Sequence, residues 1–273
     1  MNRVAWAVLT ILLAGCGSGE AAAVLDMATT TSVRDSGLME ELLPRFSAQT
    51  GIEVRLLAVG SGAALRMGAD GDVDVLLTHA PAGELELVEV GKLVDRRPFM
   101  RNHFVIAGPA EDPAGLAHAA DARGAMRRLA AADALFVSRA DDSGTHRREK
   151  AVLTEAGLDP GASWSNVIRT NAGMGASLQV AGERRAYIVA DVGTFRAFRK
   201  RVELVALSNP DDPDLRNVYS VLRPNPEGRD LNVEGAQLLA DFLTAPETQH
   251  WIGEFGRDPD PLFVPLLPGG SSG

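Results

Sequence analysis

Short apolar runs alternate along this chain with stretches in which apolar residues return every third or fourth position, the pattern of strands interleaved with helices. Residues 23–27 read as a first strand running into Ala28-Thr29-Thr30-Thr31-Ser32. Leu38, Leu42, Leu43 and Phe46 then share one helical face, and Pro44 is predicted to break that run and open a second short helix. Thr50-Gly51 stops it, and Ile52 to Ala58 alternates as a second strand. Strand, helix, strand in this order is a βαβ unit with a parallel pair. The scheme repeats at Val59-Gly60-Ser61-Gly62-Ala63, where a strand passes into a helix. A strand over 71–77 ends at Thr78-His79-Ala80-Pro81, a short amphipathic helix is predicted over 84–91, and Phe104 to Gly108 reads as a buried strand.

Beyond Gly108 the pattern starts afresh. Residues 112–132 are alanine-rich and predicted helical, and Leu135-Phe136-Val137 ends a buried strand. A helix is predicted from Thr145 to Ala156, closed by Gly157. Another opens at Ala172-Gly173-Met174-Gly175, a strand covers 186–191, and 218–222 is expected to cross back to the first half. Two C-terminal helices return there as well. The fold class is therefore α/β: two doubly wound domains joined by a two-strand hinge. Lobe 1 is expected at 23–105 plus 218–267, lobe 2 at 106–217, a signal peptide and tether at 1–22, and a disordered tail at 268–273.

The length of 273 residues suits two domains of roughly 100–150 residues each. The formal net charge of −9, with no long basic run, argues against nucleic acid, and 5% aromatic content argues against a stacking pocket. An acidic chain can still hold an anion, because local N–H groups and one arginine outweigh charges beyond a Debye length. The single cysteine, Cys16, excludes internal disulfides. It follows a basic start, an apolar run from Val4 to Ala14, and Leu13-Ala14-Gly15, which resembles the lipobox of bacterial lipoproteins. Cys16 is accordingly expected to carry lipid and to anchor the protein outside the cytoplasmic membrane, in the periplasm or at the cell surface, with residues 17–22 as a flexible tether.

The candidate chemistry lies where strands end. Arg139 offers a cation, and Ser143-Gly144-Thr145 sets two hydroxyls around a glycine at a helix start. Such a start presents free N–H groups and partial positive charge, suited to an anion. Thr30, Thr31, Ser32 and Ser61 add hydroxyls at other strand ends. In open α/β sheets these ends face the ligand crevice, so the loops of both halves should meet in one cleft. All these groups donate, and a fully deprotonated tetrahedral anion only accepts. With roughly 1.5–3 kcal/mol per charged hydrogen bond, half a dozen can leave a nanomolar constant, about −12 kcal/mol, after desolvation and closure. The cleft is expected to present almost nothing negative.

Two other classes compete. Asp141, Ser143 and His146 are residue types of a nucleophilic triad, so a secreted serine hydrolase is an alternative. They crowd one short segment, however, and no Gly-x-Ser-x-Gly elbow is present. No catalytic residue is therefore assigned. His79, His103, His118 and His250 are scattered, read as surface or internally satisfied histidines, and no Cys/His metal spacing occurs. An adhesive or structural lipoprotein without a small ligand is the third reading, which the donor-rich loops disfavour.

The lipoprotein start, Thr29-Thr30-Thr31-Ser32, Asp35-Ser36-Gly37-Leu38, Ala58-Val59-Gly60-Ser61-Gly62, the run from Gly71 to Pro81, and Ser138-Arg139-Ala140-Asp141-Asp142-Ser143-Gly144-Thr145-His146 together resemble the tungstate-binding proteins of the Tup-type ABC importer. The resemblance runs from about Leu25 to Pro265. It implies a two-lobed type II periplasmic-binding-protein fold, capture of tungstate as its oxyanion with no cofactor or resident metal, and delivery to a membrane permease with its ATPase by a monomer. It carries ligand-binding roles onto Thr30, Thr31, Ser32, Ser61, Gly62, Ala63, Arg139, Ser143, Gly144 and Thr145, and onto Gly173 and Met174 in a further loop. The chain departs from the family at Ser61, Ala140 and Val192, where threonine, glycine and a basic residue are common. Molybdate is the second ligand candidate. Phosphate is the third, since Arg139 to Thr145 also resembles the Arg-x-Asp-x-Ser-Gly-Thr run of phosphate-binding proteins. Whether Asp141 faces the cleft or holds Arg139 bears on that choice.

Overall fold

The computed structural model describes residues 23–159, 165–257 and 260–266. Cys16, the tether and the tail at 268–273 lie outside them. In chain order the first elements are β1 (Val24–Thr30), α1 (Thr31–Asp35), α2 (Leu38–Thr50), β2 (Glu53–Val59), α3 (Ser61–Asp70), β3 (Val75–Thr78), α4 (Pro81–Glu89) and β4 (Leu93–Gly108). Then come α5 (Ala122–Ala131), β5 (Phe136–Ser138), α6 (Gly144–Glu155), β6 (Val167–Arg169), α7 (Met174–Arg184), β7 (Tyr187–Asp191), α8 (Val192–Val202) and β8 (Val205–Ala206). The chain closes with β9 (Arg216–Pro224), α9 (Val233–Thr244), α10 (Pro246–Glu254) and β10 (Val264–Pro265).

β1 runs parallel to both β2 and β3, so Met27 stands between Leu56 and Val75. β9 enters antiparallel between β3 and β4, with Leu77 opposite Val221 and Met100 opposite Tyr219. β4 is the strand both halves share. Through His103 it pairs with β9, and from Phe104 to Ala107 it pairs with β7 of the second half. There β5 lies parallel to β7 and β6. The full order is β2-β1-β3-β9-β4-β7-β5-β6.

Each half is a sheet buried on both faces, and the two-residue period sorts side chains between layers. In β3, Val75 and Leu77 enter a core with Phe46, Tyr219, Leu239 and Ile252, while Leu76 joins Ala64, Leu65 and Leu222 behind the sheet. In β7, Tyr187 and Val189 pack with Met126, Leu129 and Val152, while Ile188 and Ala190 face Leu178 and Phe195. The C-terminal helices α9 and α10 thus complete the first half's core.

Four sequence expectations change. Pro44 lies inside α2 without ending it. Proline in a helix interior costs roughly 3 kcal/mol, but Leu38, Met39, Leu42 and Phe46 on one face are all buried, and that burial outweighs it. Residues 112–132 are not one helix: Asp112 and Gly115 take positive φ, a single 3-10 turn covers Leu116–His118, and Asp121 caps α5 through Gly124 N at 2.6 Å. The helix expected over 84–91 starts at Pro81 and buries Glu84, whose carboxylate accepts from Thr78 Oγ1 and Ala80 N, each at 2.8 Å, and pairs with Arg96 at 2.9 Å. The strand expected at 104–108 begins at Leu93, because β4 serves both lobes.

Candidate functional site

Five helices, α1, α3, α6, α7 and α8, each start close after a strand of one lobe or the other. Thr30 caps α1, its Oγ1 accepting from Val33 N at 3.4 Å, and Ser143 caps α6, its Oγ accepting from His146 N at 3.4 Å. Gly60 and Gly173 cap α3 and α7 with no side-chain bond, which leaves first-turn N–H groups for a ligand.

A cavity of about 500 Å³ opens between the lobes. Thr31 and Ser32 of α1 line one wall, Arg139 and the start of α7 at Gly173 and Met174 the other, and Asn102 and Tyr219 of the shared strands lie between them. The remaining expected residues, Thr30, Ser61, Gly62, Ala63, Ser143, Gly144 and Thr145, do not line this cavity. Ser61 is buried where α3 meets α6: a Cβ on Gly144 would fall 3.3 Å from Ser61 Oγ and 2.9 Å from His79 Cε1. Gly62 faces Arg147 across the same seam, Ala63 follows it in α3, and Thr145 is buried in the first turn of α6. The two lobes therefore touch through the starts of α3 and α6.

Asp141 is not on the cavity wall. One of its oxygens accepts from Arg139 Nη2, and the other accepts from Ser143 Oγ at 2.7 Å and Ser143 N at 3.2 Å. Burial works against its charge, but the Ser143 bonds and the Arg139 guanidinium hold the carboxyl below its ordinary range. Arg139, only 12% exposed, is thereby pinned in place. Behind it Glu149 is buried, and desolvation pushes its carboxyl up to about 7 against bonds from Ser138 and the Arg139 backbone.

The same geometry removes the triad. Ser143 Oγ donates straight to a carboxylate, and His146 Nδ1 accepts from Asp142 N at 3.0 Å instead of meeting the serine. Among the described residues no histidine is placed to take the Ser143 proton, as a triad requires. Among the described residues no group of three or more His, Cys, Asp or Glu could hold a metal ion, and no helix is long and apolar enough to cross a membrane.

One expectation about charge is corrected. Asp191 and Asp35 both line the cavity. Asp35 pairs with Arg34 at 2.7 Å in an exposed position. Asp191 is buried as the cap of α8, accepting from Thr194 N and Thr194 Oγ1, each at 2.8 Å. A helix-capping aspartate is ordinary in sequence, and only the packing of α8 beside the cleft brings it to the wall. Sequence reasoning also missed a polar network on the floor. His79 Nε2 lies 3.2 Å from Ser32 Oγ, and His79 Nδ1 lies 2.8 Å from Asn217 Oδ1. Asn217 Nδ2 in turn meets Asn102 Oδ1 at 2.8 Å and the Tyr219 hydroxyl at 2.9 Å. Asn102 and Asn217 are cross-strand partners. An amide inside each apolar strand was the available signal.

Fold and cleft together define a two-lobed solute-binding protein, its site walled by both lobes. The comparisons narrow this. Residues 17–247 match the model of the PBP superfamily domain. The tungstate-binding protein TupA of Peptoclostridium acidaminophilum is 38% identical, with 94% of each chain covered. Among solved structures, the tungstate-binding protein TupA from Desulfovibrio alaskensis G20 superposes with a TM-score of 0.82 at 38% identity, covering 90% of this chain and all of that one. The tungstate ABC transporter structure from Geobacter sulfurreducens gives 0.75 at 40% identity, over 85% and 98% of the two chains. The chain belongs to the tungstate-binding protein family of the type II periplasmic-binding-protein superfamily, a family of solute-binding proteins and not of enzymes.

Proposed function

We propose that this protein captures tungstate in the interlobe cavity and hands it to the permease and ATPase of an ABC importer. The observation that carries the reading is that Thr31, Ser32, Arg139, Gly173 and Met174, drawn from both lobes, line one cavity. A tetrahedral dianion accepts only, and hydroxyls, helix-start N–H groups and a guanidinium donate only, or can be turned to donate. Thr30, Ser61, Gly62, Ala63, Ser143, Gly144 and Thr145 lie off the cavity wall and complete the cage when the lobes, 23–105 plus 218–267 and 106–217, rearrange around the anion. The cavity is larger than a four-oxygen anion requires, which leaves room for that movement. Cys16 carries the lipid that holds the monomer at the membrane outside the cytoplasm.

Asp191 on the wall favours a second reading. Phosphate near neutral pH can retain a proton, and that proton needs an acceptor such as this carboxylate. Molybdate shares the charge and shape of tungstate and is the nearer rival. Isothermal titration with tungstate, molybdate, phosphate and sulfate tests the proposal. Tungstate is expected to bind tightest, with molybdate next. Phosphate binding tighter than tungstate, or equal affinity for sulfate, would overturn it.

A further inference from the structure

His79 follows β3 and lies behind Ser32 of the cleft wall, with only 8% of its surface exposed. Its hydrogen positions follow from its partners. Asn217 Nδ2 has two hydrogens, and both are engaged, by Asn102 Oδ1 and by the Tyr219 hydroxyl. Asn217 Oδ1 can then only accept, so the imidazole carries a hydrogen on Nδ1. In the neutral ring Nε2 is an acceptor, and its partner is Ser32 Oγ. The one hydrogen of Ser32 is therefore aimed into the protein, at His79. The Tyr219 hydroxyl lies within reach of both Ser32 and Asn102 and turns its hydrogen to Asn102, which leaves Thr30 Oγ1, 3.1 Å from Ser32, to donate to Ser32. Yet Ser32 lines the cavity. In this arrangement it turns lone pairs, not a hydrogen, toward an incoming anion.

A second proton on the ring reverses the direction. The imidazolium donates from Nε2 to Ser32 Oγ, and the Ser32 hydrogen is free to rotate into the cavity and bond the anion. We propose that His79 is a positioning residue that sets the direction of the Ser32 hydroxyl, and that binding a fully deprotonated oxyanion draws one proton from solvent onto His79 Nε2. The step forms one N–H bond at the ring with a proton released by the buffer; within the protein no bond breaks and one O–H rotates. This deepens the tungstate reading and rests on it.

The charges around the ring set where the switch operates. Burial holds the imidazole below its ordinary range, while Asp191 and Glu84 favour the charged form. Arg147 and Arg148 of α6 and Arg216 of β9 line a second cavity with His79. The Tyr219 ring, 4.8 Å away, stays protonated because burial pushes its phenol up. A dianion beside Ser32 adds negative charge and raises the ring's pKa. Between the free and the loaded pKa, binding takes up a proton and affinity falls as pH rises, by up to about tenfold per pH unit. Below the free pKa and above the loaded one, affinity is flat.

Titration of the full chain with sodium tungstate, in buffers of different ionisation enthalpy and from about pH 5.5 to about pH 8.5, reads this directly. The expected result is an uptake approaching one proton per anion within the window. In His79→Asn the uptake is lost and the affinity becomes weaker and flat with pH. In Ser32→Ala, which keeps the ring and removes the hydroxyl, the uptake is reduced. Wild-type binding with no proton exchange at any pH overturns the inference and leaves the tungstate reading standing, as does uptake undiminished in both variants. If His79→Asn does not fold, the wild-type and Ser32→Ala measurements decide alone. Absence of binding for every oxyanion would sink the functional reading and this inference with it.

Discussion

Replacing Arg139 by glutamine probes the cation held on the lobe 2 wall of the cavity. The side chain is nearly buried and already fixed by Asp141, so little ordering remains to be done when an anion arrives. A charge-assisted hydrogen bond contributes roughly 1.5–3 kcal/mol, and the planar fork can supply two, for about 3–6 kcal/mol. Asp141 already neutralises part of the charge, and glutamine still donates, which brings the expected loss to about 2–4 kcal/mol. At about 1.4 kcal/mol per decade, the tungstate constant should weaken roughly 30- to 1,000-fold by isothermal titration. Arg139→Gln also takes away the cation that faces Asp141, which keeps only its bonds from Ser143. The double variant with Asp141→Asn separates the two effects: recovery of about tenfold would assign that share to the freed carboxylate. Binding by Arg139→Gln within threefold of wild type would refute the reasoning, since it would mean that the guanidinium does not touch the ligand.

Three further outcomes follow from the packing. Gly144→Ala places a methyl 2.9 Å from His79 Cε1 and 3.3 Å from Ser61 Oγ, so the lobe contact should be overpacked by about 1–3 kcal/mol. Tungstate affinity is expected to fall about 5- to 150-fold, with a larger radius of gyration for the loaded protein in X-ray scattering; unchanged affinity would detach that contact from closure. Glu149 sits near 7 when folded against 4.5 as a free carboxyl, so the native state holds the extra proton between those values and stability should fall by about 3 kcal/mol as pH rises through them. Chemical denaturation should show that slope in the wild type and its loss in Glu149→Gln; equal slopes in both would contradict it. Gly182→Ala would bring a Cβ to 2.5 Å from the Val202 carbonyl, which as backbone cannot move aside, so the melting temperature should drop by roughly 3–10 °C.

The periodic parts of the fold were legible because burial on both faces of a sheet leaves a plain trace. Val75-Leu76-Leu77 and Tyr187-Ile188-Val189-Ala190 could hardly be anything but central strands, and the hydroxyl-rich turns after β1 and β5 announced helix starts. What failed had local signals that a distant contact overruled. Pro44 should end a helix, but Phe46 two residues on packs against Phe242, 5.6 Å away, across nearly two hundred positions of chain. Glu84 should face water, but Thr78, Ala80 and Arg96 enclose it. For the candidate site, the lobe 1 and lobe 2 donors could be named because they are motif residues at strand ends. The floor could not: Asn102 and Asn217 lie far apart in sequence and meet only through the register of β4 and β9, and His79 gains its meaning from both. Asp141 and Asp191 show the same limit. Each is an aspartate beside a helix start, and only the fold puts one behind Arg139 and the other on the wall.

Everything functional depends on one oxyanion being held between the lobes by donors from both. A crystal of the protein grown with sodium tungstate, with data collected at a tungsten absorption edge, locates the metal without ambiguity. The account predicts a single anomalous peak in the interlobe cavity, with oxygens within hydrogen-bond reach of Thr31 or Ser32 on one side and of Arg139 or the start of α7 on the other. A peak bonded to one lobe only, or lying outside that cavity, would contradict it.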